Sequence, residues 1–94
     1  MISVALCTYN GEKFIEEQLN SILNQTLPVE EIVICDDGST DNTLNIINLF
    51  EQNNRNIKVF RNKNNLGTIK NFEKAISLTS GDIIFTGYLL RASC

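Results

Sequence analysis

Four short apolar runs alternate with longer stretches whose apolar positions recur at helical spacing. The first run, Ile2-Ser3-Val4-Ala5-Leu6-Cys7, is rich in strand-forming types and gives way to the polar group Thr8-Tyr9-Asn10-Gly11, as a buried parallel strand does before its turn. From about residue 12 to 24, Ile15, Leu19, Ile22 and Leu23 fall on one helical face. Asn10 is placed to cap this helix, and Glu12 stands in its first turn against the positive end of the dipole. Pro28 closes the connection, and Glu31-Ile32-Val33-Ile34-Cys35 repeats the strand pattern before the turn residues Asp36-Asp37-Gly38-Ser39-Thr40-Asp41.

A second helix is predicted over about 43–52, with Leu44, Ile47 and Phe50 on one face and Asp41 or Ser39 available as cap. Ile57-Lys58-Val59-Phe60-Arg61 alternates apolar and basic residues, which suits a strand near a sheet edge with one solvated face. After the turn Asn64-Asn65-Leu66-Gly67, the residues Ile69, Phe72 and Ile76 mark the apolar face of a third helix reaching about Leu78. Gly81 breaks it before a last strand, Asp82-Ile83-Ile84-Phe85.

The order βαβαβαβ predicts an α/β fold: a parallel, Rossmann-like sheet with right-handed crossovers and helices on both faces. In such a sheet ligands sit beyond the carboxyl ends of the strands. The segments 8–12, 36–41 and 62–67 all emerge there.

Composition narrows the function. The chain has 94 residues, 43% of them apolar and 20% charged, enough for one compact unit with a core and too short for two domains. The formal net charge is −3 and no basic run occurs, so nucleic acid is not an expected partner. No run approaches the length of a membrane span and the start lacks the marks of a signal peptide, so the expected location is cytoplasmic. There is no histidine, which removes histidine bases and histidine-ligated metal. Cys7, Cys35 and Cys94 are odd in number and widely spaced, which predicts reduced thiols rather than a disulfide framework or a zinc site.

Neither G-x-G-x-x-G nor G-x-x-x-x-G-K-[ST] occurs, so the two best-known phosphate cradles are absent. Thr8-Tyr9-Asn10 stands after the first strand instead: a ring able to stack on a base, flanked by groups able to hydrogen-bond a base edge or a ribose. Asn10 as a helix cap and Tyr9 as a cover for the core rim explain these residues equally well. Asp36 and Asp37 close the second strand, where a carboxylate can accept the N3–H of a pyrimidine or bind a cation; an Asx turn with capping is the competing explanation. Lys70, in the first turn of the third helix, is placed to approach a phosphate from the same rim or to lie on a solvated face. Cys7 and Cys35 read as small buried hydrophobes.

Together, Val4-Ala5-Leu6-Cys7-Thr8-Tyr9-Asn10, Gln18 with Ser21-Ile22-Leu23-Asn24-Gln25-Thr26, and Glu31 through Asp41 resemble the amino-terminal half of family 2 glycosyltransferases. The likeness continues through Asn64-Asn65-Leu66-Gly67, Lys70-Asn71-Phe72 and Gly81-Asp82-Ile83-Ile84-Phe85, over about residues 1–85, and is strongest to bacterial enzymes of surface-polysaccharide assembly. The resemblance implies a GT-A fold with strand order 3-2-1-4. It also implies inverting transfer of a sugar from a nucleoside diphosphate to an acceptor hydroxyl, on a glycan or lipid-linked acceptor, at the inner face of the membrane in a full-length enzyme. It assigns Thr8 and Tyr9 to the loop that packs on the nucleoside, Asp37 to the carboxylate that holds the base, and Lys70 to a basic position near the donor, with Asn10, Glu12 and Asp36 beside them. Uracil and thymine carry an N3–H and cytosine does not, so a UDP- or dTDP-sugar is the expected donor.

One departure stands out. The family continues after the fourth strand into an Asp-x-Asp-type motif that holds Mg²⁺ or Mn²⁺ across the diphosphate. This chain instead reads Thr86-Gly87-Tyr88-Leu89-Leu90-Arg91-Ala92-Ser93-Cys94, with no carboxylate beyond Asp82. The expectation is a single partial domain, family-like over 1–85 with a divergent tail over 86–94, truncated or frame-shifted, with no identifiable catalytic residue or metal ligand and inactive alone. An apolar fourth strand with a free edge, Ile83-Ile84-Phe85 followed by Tyr88-Leu89-Leu90, predicts self-association. A non-catalytic module that binds a nucleotide or a protein is the competing class. A response-regulator-like domain expects an acidic pair where Thr8-Tyr9 stands.

Overall fold

A computed structural model describes residues 2–24 and 29–80, together with the backbone of 82–86. The order is β1 (Ile2–Thr8), α1 (Ile15–Leu23), β2 (Glu31–Asp36), α2 (Thr43–Asn53), β3 (Ile57–Arg61), α3 (Thr68–Ser77) and β4 (Asp82–Thr86). The strands lie in the order β3-β2-β1-β4 and every neighbouring pair is parallel, so the chain has the α/β architecture its alternating pattern implies. Thr8 of β1 pairs with Asp36 of β2, which pairs with Arg61 of β3. Three strands therefore end level, and the loops that follow them leave from one edge.

Alternation along the strands builds two different layers. On one face Val4, Leu6, Ile32, Ile34 and Ile57 pack with Ile15, Leu19 and Ile22 of α1 and Ile47 of α2. Burying each such aliphatic side chain is worth roughly 1.5–3 kcal/mol. On the other face Ala5, Val33 and Cys35 meet Ala75 of α3, with Phe60 packed alongside. These small side chains let the α3 backbone lie close to the sheet.

That close approach overturns the face predicted for α3. The helix buries Asn71 and Ala75, one turn apart, whereas Ile69 is 74% exposed and Ile76 39% exposed, with Phe72 half-buried. A sheet surface of Ala and Cys selects the helix face that fits closely and can hydrogen-bond, not the one with the most apolar area. α1 also begins later than its periodicity implied. Residues 12–14 form a turn in which the N–H groups of Phe14 and Ile15 both donate to the Gly11 carbonyl at 2.9 Å. The residue preceding α1 is Phe14, which makes no side-chain cap, so Asn10 is not the cap of this helix.

At the amino-terminal edge of the sheet, the buried Glu31 accepts hydrogen bonds from Ser3 Oγ at 2.8 Å, Lys58 Nζ at 3.0 Å and the Ser80 N–H at 2.8 Å. Cys35 is a free buried thiol. Pro28, Gly81 and residues 87–94, including Tyr88-Leu89-Leu90 and Cys94, lie outside the described residues, as do the side chains of Ile83, Ile84 and Phe85. No helix among the described residues is long and apolar enough to cross a membrane.

Candidate functional site

The polar segments after β1, β2 and β3 form one hydrogen-bonded rim. The segment after β1 binds the segment after β2 in both directions. Asn10 N–H donates to Ser39 Oγ at 2.8 Å, Gly11 N–H to Thr43 Oγ1 at 2.8 Å and Glu12 N–H to Asp41 Oδ2 at 3.3 Å. In return, Thr40 N–H donates to Asn10 Oδ1 at 2.8 Å and Asn42 N–H to Glu12 Oε1 at 3.0 Å. Asn10 adopts a left-handed backbone, φ 51°, which an asparagine tolerates better than most residues and which lets its main chain and its side chain reach the second loop together.

Asp36 is buried and accepts from four groups. Thr8 Oγ1 at 2.7 Å and Ser39 Oγ at 2.6 Å reach Oδ1, while the N–H groups of Gly38 at 3.1 Å and Ser39 at 2.8 Å reach Oδ2. This is the Asx turn that the Asp-Gly-Ser spacing allowed. Asp41 shapes the start of α2 by accepting from the Thr43 N–H at 3.0 Å and from the Thr43 hydroxyl. Burial alone would raise the Asp41 carboxyl, but these bonds and the one from Glu12 outweigh it and hold the group below its ordinary range.

Asp37 ties the rim to the third loop. Its N–H donates to the Thr8 carbonyl at 2.9 Å. Its Oδ1 accepts from Asn62 Nδ2 at 2.8 Å and the Leu66 N–H at 2.7 Å, and its Oδ2 accepts from the Gly67 N–H at 3.1 Å. Asn65 Nδ2 reaches the Asp37 carbonyl at 2.8 Å. Gly67 has φ 89° and ψ 165°, a conformation open to glycine and strained for other residues, and it is this turn that aims the Leu66 and Gly67 N–H groups at one carboxylate.

The predicted residues thus divide. Thr8 is buried, with its hydroxyl given to Asp36; Tyr9 follows it and is 37% exposed; Asp37 is 6% exposed. Asn10, Glu12 and Asp36 are engaged in joining loops. Lys70 is exposed on the first turn of α3. Sequence reasoning assigned nothing to Asn62, Asn71 or Lys74, which lie beneath Asp37: Asn62 Nδ2 also donates to Asn71 Oδ1 at 2.8 Å, Asn71 Nδ2 to the Cys35 carbonyl at 3.0 Å, and Lys74 Nζ to Asn62 Oδ1 at 2.6 Å. The available signal was an Asn and a Lys at positions 71 and 74 of a helix facing a sheet. Their partners lie on other elements, so periodicity alone does not disclose them.

The rim carboxylates do not fit a divalent cation. Asp36, Asp37, Asp41 and Glu12 are each engaged by backbone or hydroxyl donors, and no group of three or more acidic or thiol side chains among the described residues is arranged to hold a metal ion.

A parallel α/β domain with a polar rim at the carboxyl ends of its strands is the class this fold and site define. The family model for glycosyl transferase family 2 matches residues 3–86, and the chain belongs to that family. It is 40% identical over 81 residues to an uncharacterized glycosyltransferase of Haemophilus influenzae, a match covering 86% of this chain and 25% of the relative. It is 42% identical over 86 residues to the abequosyltransferase RfbV of Salmonella typhimurium, covering 87% of this chain and 26% of RfbV. Among solved structures it resembles Staphylococcus aureus TarS in complex with UDP, with a TM-score of 0.78, 37% identity, and coverage of 89% of this chain and 26% of the TarS chain. The chain spans about a quarter of the length of each of these proteins.

Proposed function

We propose that this chain forms the nucleotide-sugar donor portion of a family 2 glycosyltransferase that builds bacterial surface polysaccharide. In the reaction, the bond from the sugar's anomeric carbon to the diphosphate breaks and a bond to an acceptor hydroxyl of a glycan or lipid-linked acceptor forms with inversion. The hydroxyl proton passes to a general base, and the nucleoside diphosphate leaves. The 94 residues alone bind the donor and do not transfer its sugar, consistent with the engagement of every described rim carboxylate in holding the loops. They act as one partial domain, family-like over 1–85.

The observation that carries this reading is Asp37 at the carboxyl end of β2, whose Oδ2 accepts a single described N–H, from Gly67 at 3.1 Å, with an exposed Tyr9 following the carboxyl end of β1. A carboxylate oxygen accommodates a second donor. Tyr9 stacks on the base, and Asp37 Oδ2 accepts its N3–H. Thr8, Asn10, Glu12 and Asp36 hold the rim beside the base, and Lys70 approaches the diphosphate. The likeness to TarS, a protein solved with UDP, supports a uracil base. The fourth strand, paired only with β1 among the described residues, provides an edge for self-association, read by light scattering.

Calorimetric titration of the chain with UDP, dTDP and CDP, with and without Mg²⁺, tests the reading. UDP and dTDP are expected to bind at least about tenfold tighter than CDP, a preference lost in Asp37→Asn. Equal binding of all three, or none, overturns it.

A further inference from the structure

We infer that Lys74 is a positioning residue for base recognition: it anchors the head of a buried hydrogen-bond chain that holds Asp37 through Oδ1 and leaves Oδ2 for a ligand. The inference rests on the reading that Asp37 contacts the base.

Asn62 is 4% exposed, and its amide faces three partners. The Lys74 ammonium, 2.6 Å from Oδ1, has protons to give and no lone pair, so the amide oxygen must face it. The amide nitrogen then faces the other way, and its two protons are spent at 2.8 Å on Asp37 Oδ1 and at 2.8 Å on Asn71 Oδ1. With its oxygen engaged by Asn62, Asn71 turns its own amide nitrogen to the Cys35 carbonyl at 3.0 Å. Every bond in the series Lys74, Asn62, Asn71, Cys35 therefore runs in one direction, which the donor-only cation at its head and the acceptor-only Cys35 carbonyl and Asp37 carboxylate enforce together. If the Asn62 amide turned over, its oxygen would face an anionic carboxylate and the oxygen of Asn71, and its nitrogen would face an ammonium. The cation adds the contact of nitrogen with ammonium to that cost, and the two oxygen–oxygen contacts remain without it.

Asp37 receives the result. Its Oδ1 is filled by Asn62 and the Leu66 N–H, while Oδ2 accepts from the Gly67 N–H. The carboxylate is thereby held with Oδ1 taken by two described donors and Oδ2 by one. Lys74 is half-buried two turns into α3 and acts through Asn62.

The test compares Lys74→Met, Lys74→Arg and Asp37→Asn by titration with UDP and CDP, alongside thermal melting. Lys74→Met is expected to lower the UDP-over-CDP preference by about fivefold or more, and Lys74→Arg, which still only donates, to restore it. A wild-type preference retained in Lys74→Met, or lost equally in Lys74→Arg, overturns the inference. If Lys74→Met does not fold, Lys74→Gln replaces it, because its amide can present either oxygen or nitrogen to Asn62, and the same two outcomes apply. A wild-type chain with no preference, or a preference that survives Asp37→Asn, sinks the base-contact reading instead. In that event the side-chain amide protons of Asn62 decide the inference by NMR. Slow exchange in the wild type and Lys74→Arg but not in Lys74→Met supports it, and equal exchange in all three overturns it.

Discussion

Ser80 donates its backbone N–H to Oε1 of Glu31 at 2.8 Å across 49 residues of sequence, joining the segment that leads into β4 to the first residue of β2. This bond lies at the amino-terminal edge of the sheet, away from the rim. It is the largest influence on the Glu31 carboxyl; burial opposes it, Lys58, Ser3 and the Ser80 hydroxyl reinforce it, and the group is held down at about 2 from an ordinary 4.5.

A carboxyl whose folded pKa lies below its unfolded value stabilises the fold where it is ionised in both states. The Glu31 contribution is therefore fully present above about pH 4.5 and is lost as the pH falls toward about 2. Urea unfolding at a series of pH values should show stability declining through that window. In Glu31→Gln the decline should be shallower. An unchanged slope in the variant would show that other groups set the acid limit.

Burial pushes the Cys35 thiol up to about 11, with Lys74 drawing it partly back. At pH 8 the thiolate population is then about a hundredfold below that of an ordinary thiol, and the folded chain should protect Cys35 from iodoacetamide. Peptide mass spectrometry is expected to find it modified only after denaturation. Rapid labelling in the folded state would contradict the burial.

Asp36→Ala removes the acceptor of two hydroxyls and two N–H groups at a buried position. We expect a loss of about 2–3 kcal/mol in urea unfolding. Asp36→Asn should also destabilise, since its NH2 group would meet donors. A loss under about 0.5 kcal/mol for Asp36→Ala would mean that the Asx turn does not hold the rim.

Gly67→Ala meets no atom within 4 Å of the added carbon, so its cost is backbone strain alone, about 1–3 kcal/mol at φ 89°. Gly11 also has open space and lies outside the left-handed region, so Gly11→Ala should leave stability unchanged or raise it by up to about 1 kcal/mol. Equal melting temperatures for the two variants would place the strain elsewhere.

The β-branched runs at 2–7, 31–35 and 57–61 and the spacing of Ile15, Leu19 and Ile22 carried the strands, the first helix face and the edge where the loops gather. Those features are local, because period and composition are properties of neighbouring residues. The same logic misplaced the buried face of α3, where Ile69 and Ile76 stand exposed and Asn71 and Ala75 are covered. A helix face is chosen by the surface it meets, and the Ala5, Val33 and Cys35 surface comes from two other strands.

The chain by itself settled the alternation of elements, the absence of histidine chemistry, and the identity of Thr8, Tyr9, Asp36 and Asp37 as the polar residues at the strand ends. Only the tertiary structure decided how those residues are used: Asp36 closed by four donors, Glu12 and Asn10 joined to the neighbouring loop, and Asp37 held from below by Asn62, itself bound by Lys74. The reason is distance along the chain. Strand and helix patterns repeat within a few residues, whereas the partners of Asp37 and Asn10 lie 25 to 30 residues away, and no local rule specifies which donor reaches which oxygen.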